Sequence, residues 1–241
     1  MELKTEAVLL RTISYSDTTS IAVMLTREAG IVSALTPAGH SREANRRRAV
    51  LMPMSIVNVT LAGKSISDLP RLKQVERTSA PEFRENHIKN ITALFLSDVL
   101  NTLLPRCEPD ISLFDYVRDS IILFAGTTGS NAIANFHIAF LVGLQHKLGI
   151  NPDLSTYRRG FLFDMNAGIF RASPTAEGGC LSREESETAF TIGRMTYRNS
   201  PFFKLNRSQR NRVLDIILQY FSIHLRNIMT LSSLDVIRAI F

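Results

Sequence analysis

From Thr5 to about Thr78 the apolar residues come in short runs broken by turn residues: Thr5 to Ile13, Thr19 to Thr26, Gly30 to Ala38, Ser55 to Leu61 and Leu69 to Arg77. In the second run Ile21, Val23 and Leu25 alternate with Ala22 and Met24, and in the fourth Ile56, Val57 and Val59 are β-branched, so these segments read as strands. Arg27-Glu28-Ala29-Gly30 reads as a tight hairpin, with Gly30 free to take positive φ. A sheet built from such short strands must hide its edges, which favours a small closed barrel of the OB type.

After Ser79-Ala80-Pro81, which suits the first turn of a helix, the period changes: Ile88, Ile91, Leu94, Phe95, Val99 and Leu103 recur at helical spacing up to Pro105. Further helices are predicted over Ile111 to Phe124, Asn131 to Leu148, Ser182 to about Tyr197 and Asn206 to about Leu231, with a short one from Ser233. Gly149 and Pro152 close the third helix, and Ser182 followed by Glu185 is a capping-box signature for the fourth. Phe161-Leu162-Phe163-Asp164 and Ile169-Phe170-Arg171, joined through Gly168, predict a hairpin. The pattern is α+β: an OB-fold barrel over residues 1–80, then a mainly α-helical domain over 81–241 with a hairpin insert near 160–171.

Composition supports a packed protein: 45% hydrophobic and 21% charged residues exclude wholesale disorder. Cys107 and Cys180 stand far apart with no CxxC, which excludes a disulfide scaffold and a four-cysteine zinc ribbon and fits a reducing cytoplasm. The charged opening Met1-Glu2-Leu3-Lys4-Thr5-Glu6 is unlike a secretory signal, and the near-apolar run Ala132 to Leu144 is too short for a bilayer, so no membrane association is expected. The net charge of +6, mostly arginine in excess, points to an acidic polymer as partner, since the guanidinium fork matches phosphate oxygens in pairs.

Sites for chemistry are scarce. Ala62-Gly63-Lys64-Ser65 ends like a phosphate-binding loop, but Asn58 stands where the pattern needs glycine and Pro70 prevents a long helix from following. His40, His87, His137, His146 and His224 never approach metal-ligand spacing; His137 reads as a core histidine, and the two cysteines as small buried hydrophobes. Glu184, Glu185 and Glu187 open a helix, where the exposed amides favour negative charge. No catalytic residue, metal or cofactor is expected.

Two basic clusters remain. Arg42, Arg46, Arg47 and Arg48 are placed by the strand pattern in a loop between the third and fourth strands, able to follow a phosphate backbone without reading bases, with Lys64 as a weaker addition on the barrel rim. Arg194, Arg198, Lys204, Arg207, Arg210 and Arg212 lie in a stretch from Arg194 to Val213 that holds no acidic residue, and Arg207, Arg210 and Arg194 suggest one positive face, suited to nucleic acid or to an acidic protein tail. Residues 1–80 carry Tyr15 as their one aromatic, so stacking contributes little there and binding by the barrel is expected to be electrostatic, indifferent to sequence and weakened by salt.

Val8-Leu9-Leu10-Arg11-Thr12, Tyr15-Ser16-Asp17, Leu25 to Gly30 and Gly39-His40-Ser41-Arg42 resemble the opening of the bacterial DNA repair protein family RecO. Leu51-Met52-Pro53-Met54 is similar to the family's lead into its fourth strand, and Ser233-Leu234-Asp235-Val236-Ile237 to its closing segment. The resemblance implies a cytoplasmic, nucleoid-associated recombination mediator rather than an enzyme. It would bind single- and double-stranded DNA, anneal strands coated with single-strand-binding protein (SSB), and act with RecR to load RecA. Many members carry a four-cysteine zinc module in the helical domain; here the Phe161 to Arg171 hairpin and Cys180 stand in its place, so no zinc is expected. The resemblance also implies a basic, apolar-lined pocket for the acidic SSB tail, placed at Arg194, Arg198, Phe202, Phe203, Lys204, Arg207 and Arg210. An adaptor whose basic faces meet acidic partners, with DNA incidental, and a nuclease built on clustered carboxylates are the rivals.

Overall fold

The computed structural model describes residues 1–39, 42–66, 68–78, 86–104, 108–174, 178–225 and 230–241. Its elements run β1 (Glu2–Ser16), β2 (Thr19–Thr26), β3 (Gly30–Pro37), α1 (Arg42–Val50), β4 (Ile56–Ala62), β5 (Arg71–Arg77), α2 (His87–Leu103), α3 (Ile111–Gly126), α4 (Ser130–Lys147), β6 (Leu162–Asp164), β7 (Ile169–Arg171), α5 (Arg183–Ile192), α6 (Arg207–Leu225) and α7 (Leu234–Ile240). They form two compact units: residues 1–126 with 231–237, and residues 127–230 with 238–241.

In the first unit the five predicted strands close into an OB-like barrel, in the order β1-β2-β3-β5-β4. The long β1 serves two neighbours, pairing with β4 from Glu2↔Ala62 to Val8↔Ile56 and with β2 from Ala7↔Thr26 to Ser16↔Thr19. Register shifts between Leu9 and Arg11 and between Ser14 and Ser16 bend it around the barrel. Parallel pairing of Leu35 with Arg71 closes the ring. Gly30, at φ 64°, makes the β2–β3 turn, as expected.

The barrel interior is filled by Ala7, Leu9, Ala22, Met24, Val32, Ala34, Val57, Val59, Leu61 and Leu72, with Leu51 added from the end of α1. Alanines at three of these positions let the strands approach closely, and no ring is needed to fill so narrow a core. The opposite face of β1 is buried too, at Val8 and Leu10. There α2 packs against β1, and the Ser97 hydroxyl donates to the Leu10 carbonyl at 2.8 Å. On α3, Asp115 pairs with Arg27, and Arg118 reaches Glu6 at 3.4 Å. The compact unit that holds the barrel therefore extends past residue 80 to include α2 and α3. Asn86 caps α2, accepting from the Lys89 amide; the Ser79-Ala80-Pro81 helix start, Pro105 and Cys107 lie outside the described residues.

The second unit is built on α4 and α6, whose buried residues include Phe136, Phe140, Leu141 and Leu144 from one and Val213, Leu214, Ile217 and Phe221 from the other. Gly149, at φ 69°, ends α4, with the Ile150 amide returning to the Gln145 carbonyl at 3.0 Å. The capping box forms as predicted: Ser182 accepts from the Glu185 amide while the Glu185 carboxylate accepts from the Ser182 amide. That helix stops at Ile192, well before Tyr197, because Gly193 follows and the chain enters tight turns. The β6–β7 hairpin turns through Gly168 at φ 68° and packs Phe163 and Phe170 against Tyr220 and Leu181.

Candidate nucleic-acid interface

The arginine cluster that the sequence places in a loop is the helix α1. Its spacing explains the difference. Ala44 is buried and Leu51 enters the barrel core, so a helix over these residues lays one stripe on the barrel, and Arg47, three residues after Ala44, falls on that stripe. The Arg47 fork donates to the Leu72 carbonyl at 2.8 Å and to the Lys73 carbonyl at 2.9 Å, strapping α1 to β5. Arg48 donates to the Gly39 carbonyl at 2.8 Å. Arg77, from the end of β5, donates to the Ala49 carbonyl at 2.8 Å, satisfying one of the orphan acceptors of the last turn of α1. Arg47 and Arg48 lie in that last turn, where the helix dipole favours positive charge. The Arg42 and Arg46 side chains are exposed, and no side-chain hydrogen bond to another described residue holds either.

Between α1 and β5 runs a groove of about 590 Å³, lined by Arg46, Arg47, Ala49, Val50 and the β5 residues Lys73 to Arg77. Among the described residues its charges are Arg46, Arg47, Lys73 and Arg77 against the carboxylate Glu76. Lys73 also makes an exposed ion pair with Glu2 at 3.2 Å, a contact weak enough to exchange for phosphate. Sequence reasoning missed Lys73 and Arg77. Their signal was present in Arg71-Leu72-Lys73-Gln74-Val75-Glu76-Arg77, in which Leu72 alone is buried and the basic residues reach solvent. The groove's charge, open form and scarcity of rings suit a flexible polyanion held through its backbone.

A second groove, of about 400 Å³, is lined by Lys4, Thr5, Glu6, Glu28, Asn58, Val59, Thr60, Gln74 and Glu76. Three carboxylates against one lysine make it repel a phosphate chain. Among the described residues the barrel therefore carries opposite charge in these two grooves. Lys64 is exposed in the bend after β4, where Gly63 packs close to Pro70; no helix follows, as expected of a loop that only resembles a phosphate-binding motif. Of the first motif, His40 and Ser41 lie outside the described residues.

In the helical unit the predicted residues separate. Arg194, Arg198, Lys204 and Arg207 are exposed, while Arg210 is only 7% exposed and does not belong to an outward positive face. Its guanidinium donates to Asn135 Oδ1 at 3.1 Å, to the Phe241 backbone oxygen at 2.9 Å and to the Leu205 carbonyl at 2.8 Å, and burial lowers its pKa. This is a structural arginine, which the sequence could not reveal because two of its three partners, Asn135 and Phe241, are remote. Arg212 is paired with Glu185 through Nε at 2.7 Å. Phe203 is half-buried, but Phe202 is 80% exposed and so lines no enclosed pocket.

His137 is buried, as expected, stacked on Phe241 with ring centroids 5.2 Å apart. Burial, reinforced by the Arg210 charge, holds its pKa down to about 3. Cys180 is half-buried beside β6, not the small buried hydrophobe expected. The residues here do not fit a zinc module: around the hairpin, Tyr157 stacks on Phe190 at 3.8 Å and Phe163 lies 4.8 Å from Phe170, so rings supply the packing. Among the described residues no three His, Cys, Asp or Glu side chains gather as a metal site, and no helix is long and apolar enough to cross a membrane.

Comparison with known proteins agrees with this architecture. Residues 1–80 match the family described as Recombination protein O N terminal, and residues 84–233 match Recombination protein O C terminal. The chain is 31% identical to the DNA repair protein RecO of Phocaeicola vulgatus, over 99% of this chain and 98% of that one. It is 31% identical to the RecO of Porphyromonas gingivalis and 28% identical to that of Azobacteroides pseudotrichonymphae, over the full length of each pair.

Proposed function

The chain belongs to the RecO family, whose work is recombinational DNA repair, and from that premise we propose that it is a non-enzymatic mediator that grips DNA through α1 and the α1–β5 groove. Arg42, Arg46, Lys73 and Arg77 meet phosphates, Arg47 and Arg48 hold the helix in place, and Lys64 adds a contact at the rim. In this reading the protein binds single and double strands alike, brings complementary strands together on SSB-coated DNA, and acts with RecR to load RecA. The observation that carries it is the four-to-one excess of cations among the described residues of the groove, on a barrel whose single aromatic before residue 80 is Tyr15. A surface that attracts phosphates without stacking bases releases them readily, as strand delivery requires.

The test is annealing of complementary strands coated with SSB, with and without RecR, using the intact chain and the Arg42→Ala/Arg46→Ala variant. The proposal expects annealing by the intact chain, slowed in the variant. Equal rates in both would remove α1 from the mechanism. Competition separates the adaptor rival: an acidic tail peptide should leave DNA on the barrel, whereas in the adaptor reading it displaces DNA.

A further inference from the structure

We propose that the turn carrying Phe202 is a stacking platform for an unpaired nucleic-acid base, giving the helical unit a single-strand contact of its own. The inference rests on the DNA-binding reading above and adds a site to it.

Among the described residues of this unit, Phe202 is the one large hydrophobic side chain left exposed, at 80%. Its neighbours in the chain are packed: Tyr197 stacks on Phe136 with centroids 4.9 Å apart, and Phe203 is half-buried. Phe202 ends a 3₁₀ turn, Ser200–Phe202, stiffened by Pro201. The backbone on both sides is clamped from beneath. Asn135, fully buried, donates through Nδ2 to the Ser200 carbonyl at 2.9 Å and to the Phe203 carbonyl at 2.8 Å. Arg210 in turn donates to Asn135 Oδ1 at 3.1 Å, which fixes the orientation of the amide. Before the turn, Asn199 accepts from the Thr196 amide at 2.7 Å and donates to the Arg194 carbonyl at 3.0 Å. A buried arginine and a buried asparagine thus fix the backbone on both sides of one phenyl ring that stands in water. With the backbone already held, stacking on this ring orders only the two side-chain torsions of Phe202.

The surroundings select the partner. Arg194, Arg198, Lys204 and Arg207 are exposed along a stretch of sequence without a carboxylate, which favours an anionic ligand. An acidic peptide with an apolar end group would need an enclosed pocket to bury that group, and Phe202 offers an open face instead. A strand of nucleic acid brings both requirements together: flat bases for the ring and phosphates for Arg198 and Lys204. A duplex, its bases already stacked, gains nothing from the ring.

The chain has no tryptophan, so Phe202→Trp introduces a single tryptophan at the proposed contact, excited at a wavelength the tyrosines do not absorb. Its emission should be quenched by a thymidine oligonucleotide and left unchanged by an abasic strand of equal length. Phe202→Ala should weaken thymidine-oligonucleotide binding by about 5- to 140-fold, the range of one lost stacking contact, with duplex and abasic-strand affinity within about twofold of wild type. Wild-type affinity in Phe202→Ala together with unquenched Phe202→Trp would overturn the platform while leaving DNA binding by the barrel intact. Loss of acidic-peptide binding in Phe202→Ala, with DNA binding unchanged, would assign the ring to a protein partner and equally overturn it. If the intact chain binds neither strand nor duplex, the functional reading fails and this inference with it.

Discussion

Replacing Arg42 and Arg46 by alanine tests whether α1 is an electrostatic grip. Both side chains are exposed, and neither is hydrogen-bonded to another described residue, so removing them should leave the melting temperature within about 1 °C of wild type, as for surface substitutions in general. If each meets one phosphate, the log–log salt slope of binding should fall by ~1.8 on duplex and ~1.4 on single strands, from ~0.9 and ~0.7 per contact. Raising salt fourfold, from about 50 to about 200 mM, would then cost the variant about 12-fold less affinity than wild type on duplex and about 7-fold less on a single strand. Fluorescence anisotropy of labelled oligonucleotides across that range reads both numbers. Arg47→Ala is the contrasting case: it removes the fork that straps α1 to the Leu72 and Lys73 carbonyls, so it should cost about 1–2 kcal/mol of stability, with Arg47→Lys recovering part of it. An unchanged salt slope in the double variant, with its fold intact, would refute the assignment of these arginines to phosphate.

Three further predictions concern the helical unit. Arg210→Met should cost about 3 kcal/mol or more in urea unfolding, because the oxygens of Asn135, Phe241 and Leu205 lose a buried donor; a loss below about 1 kcal/mol would show that water replaces it. Gly168→Ala should destabilise by about 2 kcal/mol, since the residue sits at φ 68° and a Cβ would lie 2.5 Å from the Tyr220 hydroxyl; Tyr220→Phe should restore part of that loss, and strict additivity of the two would contradict the clash. The depressed pKa of His137 means the folded state binds fewer protons than the unfolded state between about pH 6.5 and about 3, so stability is fully present above that window and falls as pH drops through it. The slope from this one group should approach ~1.4 kcal/mol per pH unit within the window, and His137→Phe should flatten it in urea titrations at pH 4 to 7; equal slopes would place the acid sensitivity elsewhere.

The parts of this architecture that are local in the chain were legible in the sequence. Alternation at Ile21 to Leu25, the positive-φ turns at Gly30 and Gly168, and the Ser182–Glu185 box each depend on residues a few positions apart, and each forms as expected. The α1 helix was not legible in the same way, because successive arginines look solvated until Ala44 and Leu51 are seen to bracket a stripe that packs on the barrel. Arg210 was the harder case. Arg207 and Arg212 nearby in the chain are basic and exposed, and what draws Arg210 inward is Asn135, 75 positions away. The groove itself required β5 to be placed beside α1, a pairing set by barrel closure and absent from any local pattern.

Glu76 offers a further test of where the phosphate chain runs. It is exposed on β5 and lines both grooves, among the described residues the single carboxylate with the cations of one and one of three carboxylates in the other. If DNA follows the α1–β5 groove, Glu76 opposes it, and Glu76→Gln removes that repulsion while keeping the shape and length of the side chain. An exposed charge of this kind is worth about 0.2–1 kcal/mol, so affinity should rise roughly 1.5- to 5-fold at low salt. The gain should vanish near 0.5 M salt, where the screening length is only a few ångströms. Neutralising Glu28, which lines only the acidic groove, should change affinity far less, because the chain does not pass it. Equal gains from Glu76→Gln and Glu28→Gln would mean that the strand responds to the net charge of the barrel as a whole. Its path would then not be fixed by the groove, and the division of the barrel into attracting and repelling sides would lose its functional meaning.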